Sequence, residues 1–293
     1  MGRGDLTDEE RARLKPHLPK TGQRGGRWAN HRRIINGVLY RIRTGVPWRD
    51  LPARFGKWKT VYERHRRWSA DGRWDKIYAS VLADADAEGR IDWSMASVDS
   101  TICRAHHHAA GARKKRPRVA RKGRVPRQHR PDEGLGRSRG GFTCKIHLVG
   151  EGGRRPLALL ITPGQWADAP QLIPIMERLR VSRLGGGRPR PRPGHLGGDK
   201  ACSSRRNRRY LRRRQISHTI PEPKNQRANR QRRGSKGGRP TGFDRTVYKR
   251  RYEVERTINA LKSSRTVATR FDKRAYVFQG TVTVAATRLW LRG

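Results

Sequence analysis

The sequence predicts an α/β core preceded by an all-α segment, because its pattern changes once along 293 residues. Up to about residue 90, apolar residues recur at the three-to-four-residue spacing of amphipathic helices. From about Trp93 the texture turns to short apolar runs bounded by Gly and Pro, separated by helical stretches, as in an α/β sheet protein. Charge is the third observation. Lys and Arg number 70 against 24 Asp and Glu, a net +46 at pH 7, and a pI near 11.8 makes the surface attractive to polyanions. That balance excludes an ordinary metabolic enzyme and points to nucleic acid.

Four helices account for the first segment. Thr7 or Asp8 can cap a helix reaching about Leu18, with acids where the helix dipole favours them. After the Gly-rich turn from Gly22 to Gly26, Asn30 can cap a second, carrying Ile34, Ile35, Val38, Leu39 and Ile42 and closed by Gly45 and Pro47. Val61, Tyr62, His65 and Trp68 mark a third helix; Ile77, Tyr78, Val81, Leu82 and Ala85 mark a fourth. Arg64, Arg66, Arg67 and Arg73 cluster on and after the third, so residues 1–90 are expected to form a helix-turn-helix-like DNA-binding domain. The competing reading is a plain helical bundle with a solvated basic face.

Residues 91–293 then form the second domain. Strands are expected at Met95–Asp99, Thr143–Val149, Leu157–Thr162 and Leu196–Asp199, with helices at Ala169–Leu179 and Ser203–Arg214. Basic segments interrupt them at 104–140, at Gly185–Gly194 and at 222–242; their stretches 104–130, Gly185–Gly194 and Lys224–Arg239 carry charge of one sign only, which favours phosphate contact over mere solvation. Ala275 to Leu291, apolar but broken by Gln279, Gly280 and Arg288, reads as a closing helix or strand on the core. No apolar run reaches the roughly 18 residues a membrane span needs. The acidic start after Met1 argues against a secretory signal, and Cys103, Cys144 and Cys202, odd in number and scattered, argue for a reducing cytosol.

Two carboxylates stand at predicted strand ends, Asp99 after Ala96-Ser97-Val98 and Asp199 after Leu196-Gly197-Gly198. Strand ends in α/β sheets are where such folds place their sites, although an isolated Asp is more often a cap or turn former. On a helix through residue 262, Tyr248, Arg251, Glu255 and Lys262 fall within about 60° of one another. Val247, Val254, Ile258 and Leu261 form an apolar stripe beside them. An Arg251–Glu255 surface pair alone would explain neither Tyr248 nor Lys262 on that line.

These residues resemble the DDE transposases of bacterial insertion sequences, specifically the insertion-sequence-five family. Its mark, Tyr-(two)-Arg-(three)-Glu-(six)-Lys, stands complete as Tyr248, Arg251, Glu255 and Lys262; Val98-Asp99-Ser100-Thr101 and Gly198-Asp199-Lys200-Ala201 match its two Asp motifs. Trp48-Arg49-Asp50-Leu51-Pro52, Gly136-Arg137-Ser138-Arg139-Gly140-Gly141 and Thr162-Pro163-Gly164-Gln165 are also similar, so the likeness covers nearly the whole chain. Cys202, Gly198 and Arg11 depart from it, standing where the family usually has an aromatic, Ala and Trp.

The resemblance implies a ribonuclease H-like catalytic core in which Asp99, Asp199 and Glu255 hold two Mg²⁺ or Mn²⁺ ions. Hard divalent ions prefer oxygen ligands, and a pair about 4 Å apart stabilises attacking and leaving oxygens of an in-line phosphoryl displacement. It further implies binding of the terminal inverted repeats, strand cleavage and strand transfer, with Arg251 and Lys262 on phosphates and Tyr248 beside them. The partners are then double-stranded DNA and further copies of the chain, with no membrane, in the cytoplasm at the bacterial nucleoid. A second reading, from another class, is a non-catalytic DNA-binding protein. Cys103-x-x-His106 and Cys144-x-x-His147 imitate zinc half-sites, but an i,i+3 pair on a strand points to opposite faces. Asp168, just past Pro163-Gly164 at a helix start, reads as a cap.

With so many cations available, duplex binding should depend steeply on salt. The log–log slope should be about −0.9 per phosphate contacted. Fluorescence anisotropy across a salt series measures it, and a slope near zero would remove the basic segments from the interface.

Overall fold

The computed structural model describes residues 2, 4–20, 28–111 and 132–292. Its first four helices are α1 (Asp8–Leu14), α2 (His31–Thr44), α3 (Trp58–Ala70) and α4 (Arg73–Ala87). They form where the sequence predicts, for the reasons it gives. Thr7 and Glu10 complete a capping box on α1. Asn30 accepts from Arg33 N at the start of α2, and Gly45, at φ 75°, ends it in a left-handed turn.

There follow β1 (Ala96–Ala105), α5 (His107–Ala110), β2 (Gly136–Ser138), β3 (Gly141–Glu151), β4 (Pro156–Pro163), α6 (Leu172–Arg178), β5 (His195–Gly198), α7 (Arg205–Arg213) and β6 (Ser217–Thr219). The chain ends through α8 (Lys224–Arg232), α9 (Arg245–Lys249), α10 (Tyr252–Lys262), α11 (Arg265–Ala268), β7 (Thr269–Arg270) and α12 (Ala275–Arg292). The strands make one mixed sheet. β4, β3 and β1 form an antiparallel meander, while β5 and β6 extend it in parallel beyond β1. All eight residues of β4 are buried, which explains why its sequence is nearly continuously apolar instead of alternating.

The expected boundary near residue 90 falls between α4 and β1, yet one apolar core runs through both sides of it. The cause is α12, which is buried on nearly every face and so behaves as a central core helix. It packs on α3, α4 and β4. A Cβ at Gly280 would collide with Ser69, so glycine permits the close approach of α12 to α3. Tyr78 and Trp290 both donate to the Pro156 carbonyl, at 2.5 and 2.7 Å, tying α4 and α12 to the sheet. Arg41 on α2 meets Asp272, just before α12, in a buried ion pair at 3.2 Å.

Three expectations need correction. The helix through Tyr248 and Lys262 is not continuous: α9 stops at Lys249, and a tight turn with i→i+3 bonds at Arg251, Glu253 and Val254 leads into α10. Residues 222–242 are not all loop, because α8 occupies Lys224–Arg232. Gly185–Gly194 is no free linker either, since its Arg190 pairs with Val181 in a two-way backbone bridge. In the first basic segment, Arg113, Lys114, Lys115, Arg116, Arg118, Arg121, Lys122, Arg124, Arg127 and Arg130 lie outside the described residues. The α2–α3 connection, from Gly45 to Lys57 with two short 3₁₀ turns, exceeds the three-to-four-residue turn of a helix-turn-helix.

His65, fully buried on α3, bonds Thr281 of α12 at 3.1 Å. Burial lowers its pKa to about 4. The unfolded chain therefore takes up that proton first as pH falls below about 6.5, and stability is lost progressively between there and about pH 4. At pH 5 the loss should be on the order of 2 kcal/mol. Thermal melts at pH 7.5 and 5 should show a smaller drop for His65→Gln than for the parent, and an equal drop would assign the acid sensitivity elsewhere.

Candidate active site

Parallel pairing of β1 with β5 sets Val98 opposite Gly198. The next residue on each strand is an aspartate. Asp99 and Asp199 thus stand side by side where the pairing of β1 with β5 ends, one residue past a pair of strands spaced about 4.8 Å apart. Asp99 remains on β1, where its Oδ1 accepts from Ser100 N at 2.7 Å. Asp199 leaves β5 and caps the following 3₁₀ turn, Oδ1 accepting from Cys202 N at 3.2 Å. Burial raises the Asp99 pKa, opposed by the Ser100 N–H and Arg251; the neighbouring Asp199 charge raises it further.

Glu255 reaches this pair through Arg251. One arm of the guanidinium meets Asp99 Oδ2 and the other Glu255 Oε1, each at 2.9 Å. Val254 and Leu261 seat α10 in the core, leaving Glu255 partly exposed at its edge. The sequence-predicted group is therefore brought together in part. Tyr248 lies on α9, its ring 5.9 Å from the Arg251 guanidinium. Lys262 donates to Ile102 O at 3.0 Å, three residues along β1 from Asp99.

Asp168 is not the cap that its position suggests; no backbone N–H bonds its side chain at that helix start. Its Oδ1 accepts instead from Ser100 Oγ at 2.7 Å and Lys145 Nζ at 3.0 Å, and lies 3.6 Å from His147 Nδ1. It lines a narrow cleft with Asp99 and Asp199. Burial lowers the His147 pKa to about 4. The signal that could have found this group was alternation: Lys145 and His147 are two apart on β3, and Ser100 pairs with His147.

Of the arginines expected to read DNA, Arg64 is misassigned. It is buried at 6% exposure, stacked 4.3 Å from Trp28 and 5.2 Å from Trp68, and bonded to His31 at 3.1 Å. Arg66 is paired with Glu63 at 2.7 Å, whereas Arg67 is exposed. The zinc half-sites do not converge: Cys103 and Cys144 are both fully buried and face each other in the β1–β3 register, while His107 and His108 are exposed beyond the strand end. At the departure Gly198, an added Cβ would meet Ile220 at 3.4 Å and Cys202 at 3.5 Å, so the usual Ala would fit and its loss leaves the site intact.

Two family profiles match the chain. Residues 6–78 match one described as a putative transposase of the IS4/5 family, and residues 94–290 match the transposase DDE domain. An uncharacterized protein, y4sN, of Sinorhizobium fredii is 40% identical over 124 residues, 42% of this chain and 90% of that protein. A putative transposase for insertion sequence element IS6501 of Brucella ovis is 28% identical over 151 residues, 52% of this chain and all of that protein. One for IS402 of Burkholderia cepacia is 32% identical over 131 residues, 45% of this chain and 54% of that protein.

Asn caps a helix about as well as Asp, so Asp168→Asn would be neutral for a cap. In the observed network it strands the Lys145 ammonium, 11% exposed, without its carboxylate. Discounted for the partial exposure of Asp168, the loss should be about 1–2 kcal/mol. Urea unfolding of Asp168→Asn, alone and combined with Lys145→Met, measures it. The second change should recover much of the loss, and a neutral single variant would restore the cap.

Proposed function

Because the chain belongs to the DDE transposases of insertion sequences, we propose that it cuts DNA at the terminal inverted repeats of an insertion sequence and joins the freed end to a target strand. Its catalytic carboxylates are Asp99, Asp199 and Glu255, in a ribonuclease H-like core. The observation that carries this reading is the β1–β5 register, which sets two aspartates side by side while Arg251 draws Glu255 toward them. An antiparallel meander extended by two parallel strands supports the core assignment. The non-catalytic alternative is not favoured, since it needs none of this arrangement.

The donor set fits divalent metal, as three carboxylates offer hard oxygen ligands and Asp99 and Asp199 repel each other without a cation. Two Mg²⁺ or Mn²⁺ ions, when bound, would supply Lewis-acid polarisation and charge neutralisation at the scissile phosphate. The chain's own residues do the rest. Ser100 N–H fixes one oxygen of Asp99. Arg251 sets the separation of Asp99 from Glu255 and offers its remaining N–H donors to a phosphate oxygen. Lys262, beside the exposed Ile102, holds a neighbouring phosphate, and Tyr248 packs next to Arg251. A water oxygen attacks phosphorus in line and the strand parts with a free 3′ hydroxyl. That hydroxyl then loses its proton to solvent and attacks a target-strand phosphorus in line, and the target's own 3′ oxygen departs and is protonated to a hydroxyl. The chain acts on duplex DNA as a homo-oligomer at the nucleoid, with Arg67 of α3 among its phosphate contacts. No described helix is long and apolar enough to cross a membrane.

Asp99→Asn, Asp199→Asn and Glu255→Gln should each abolish metal-dependent cleavage of a labelled end fragment while leaving affinity nearly intact, since most affinity comes from remaining cations. Lys262→Ala should slow cleavage by roughly 10-fold, the scale of one lost phosphate contact. Full cleavage by Glu255→Gln would overturn the assignment.

A further inference from the structure

Seven arginines line a groove of about 1040 Å³ at the end of β5 opposite Asp199. They come from three segments: the end of the α6 region, the Val181–Arg190 bridged turn with its continuation, and the C-terminus of α7. The groove is built, not a chance crowding of side chains. Arg192 donates to the Arg214 carbonyl at 3.2 Å and to Gln215 at 2.9 Å, and Arg214 returns a bond to the Pro191 carbonyl at 3.4 Å. Arg190 stacks 4.5 Å from the Trp93 ring. These guanidiniums are anchored mainly on neutral carbonyls and a ring, which leaves most of their charge uncompensated. Asp86, 3.8 Å from Arg190, is the one carboxylate within ion-pair distance of the seven among the described residues. Arg183, Arg188 and Arg213 are exposed around the opening.

We infer that this groove is a second DNA-backbone site, separate from the catalytic one. Guanidinium forks match phosphate oxygens in shape as well as charge, and a concave cationic wall tracks a polyanion. Gly194 on the groove lies five residues before Asp199, about 17 Å of extended strand. A phosphate held there is therefore several nucleotides away from the one being cut. The ligand is either the continuation of the bound duplex or a second duplex. The inference rests on the DNA-transposition reading for its choice of polyanion.

Arg183→Ala, Arg188→Ala and Arg213→Ala, combined in the full chain, remove no group placed in the catalytic site. Binding is measured by anisotropy over a salt series, in Ca²⁺, on three duplexes: a minimal end fragment, the same end extended by about two helical turns, and an unrelated duplex added to a preformed end complex. The parent binds the minimal fragment with a steep slope; if it does not, the transposition reading fails first. The triple variant should bind the minimal fragment as the parent does and cut it in Mg²⁺ at the parent's saturated rate. Loss of up to about 2.7 in the log–log slope, seen only on the extended fragment, places the continuing duplex in the groove. The same loss seen only for the added duplex places a second one there. Parent-like binding of all three, or an equal loss on all three, overturns a separate site.

Discussion

Two like charges on neighbouring strands are the constraint around which this molecule is arranged. The β1–β5 register places Asp99 and Asp199 side by side, and neither moves away freely, because Asp99 is held in β1 and Asp199 by the last paired residue before it and by its cap bond to Cys202 N. Cationic groups must approach from outside the sheet. Arg251 does so from the tightened turn before α10, and the same turn carries Arg250 to Asp92 at 3.0 Å. The break between α9 and α10 thus coincides with two anchors, one at the carboxylates and one at Asp92 in the segment leading into β1. Seating α10 takes Val254 and Leu261, so the core and the site are held by adjacent faces of one helix.

A second set of bonds approaches the same place from the other side of β1. Successive residues of a strand point to opposite faces, and Ser100 uses both of its donors: its amide serves Asp99 and its hydroxyl serves Asp168. Asp168 in turn answers Lys145. The orientation of Asp99 is therefore tied to a charged network that lies across the sheet from Arg251.

Much of this was legible beforehand. Helix positions followed from 3.6-residue spacing and caps such as Asn30 and Gly45, and the strands from short apolar runs between turns. Asp99, Asp199 and Glu255 could be chosen because their motifs are local in sequence. What was hidden depends on long-range contact. Asp168 sits at a sequence position typical of a cap, and only folding shows Ser100 and Lys145 beside it. Arg64 has the composition of a surface contact but packs against Trp68 one turn on and against Trp28, which reaches it only in three dimensions. The unbroken helix from Tyr248 to Lys262 failed because periodicity cannot register a local tightening to three residues per turn.

The late position of α12 governs the order in which the molecule can become itself. Helices α3 and α4 bury their apolar faces against a segment about 190 residues farther along, which a ribosome moving at roughly 5–20 residues per second delivers some 10–40 seconds later. During that interval the nascent helical half presents His65, Ser69 and Trp74 without their final cover. A long-separated contact of this kind is slow to close, and a polypeptide released before Ala275 never closes it. Native packing of the amino-terminal half therefore certifies that synthesis has run through α12.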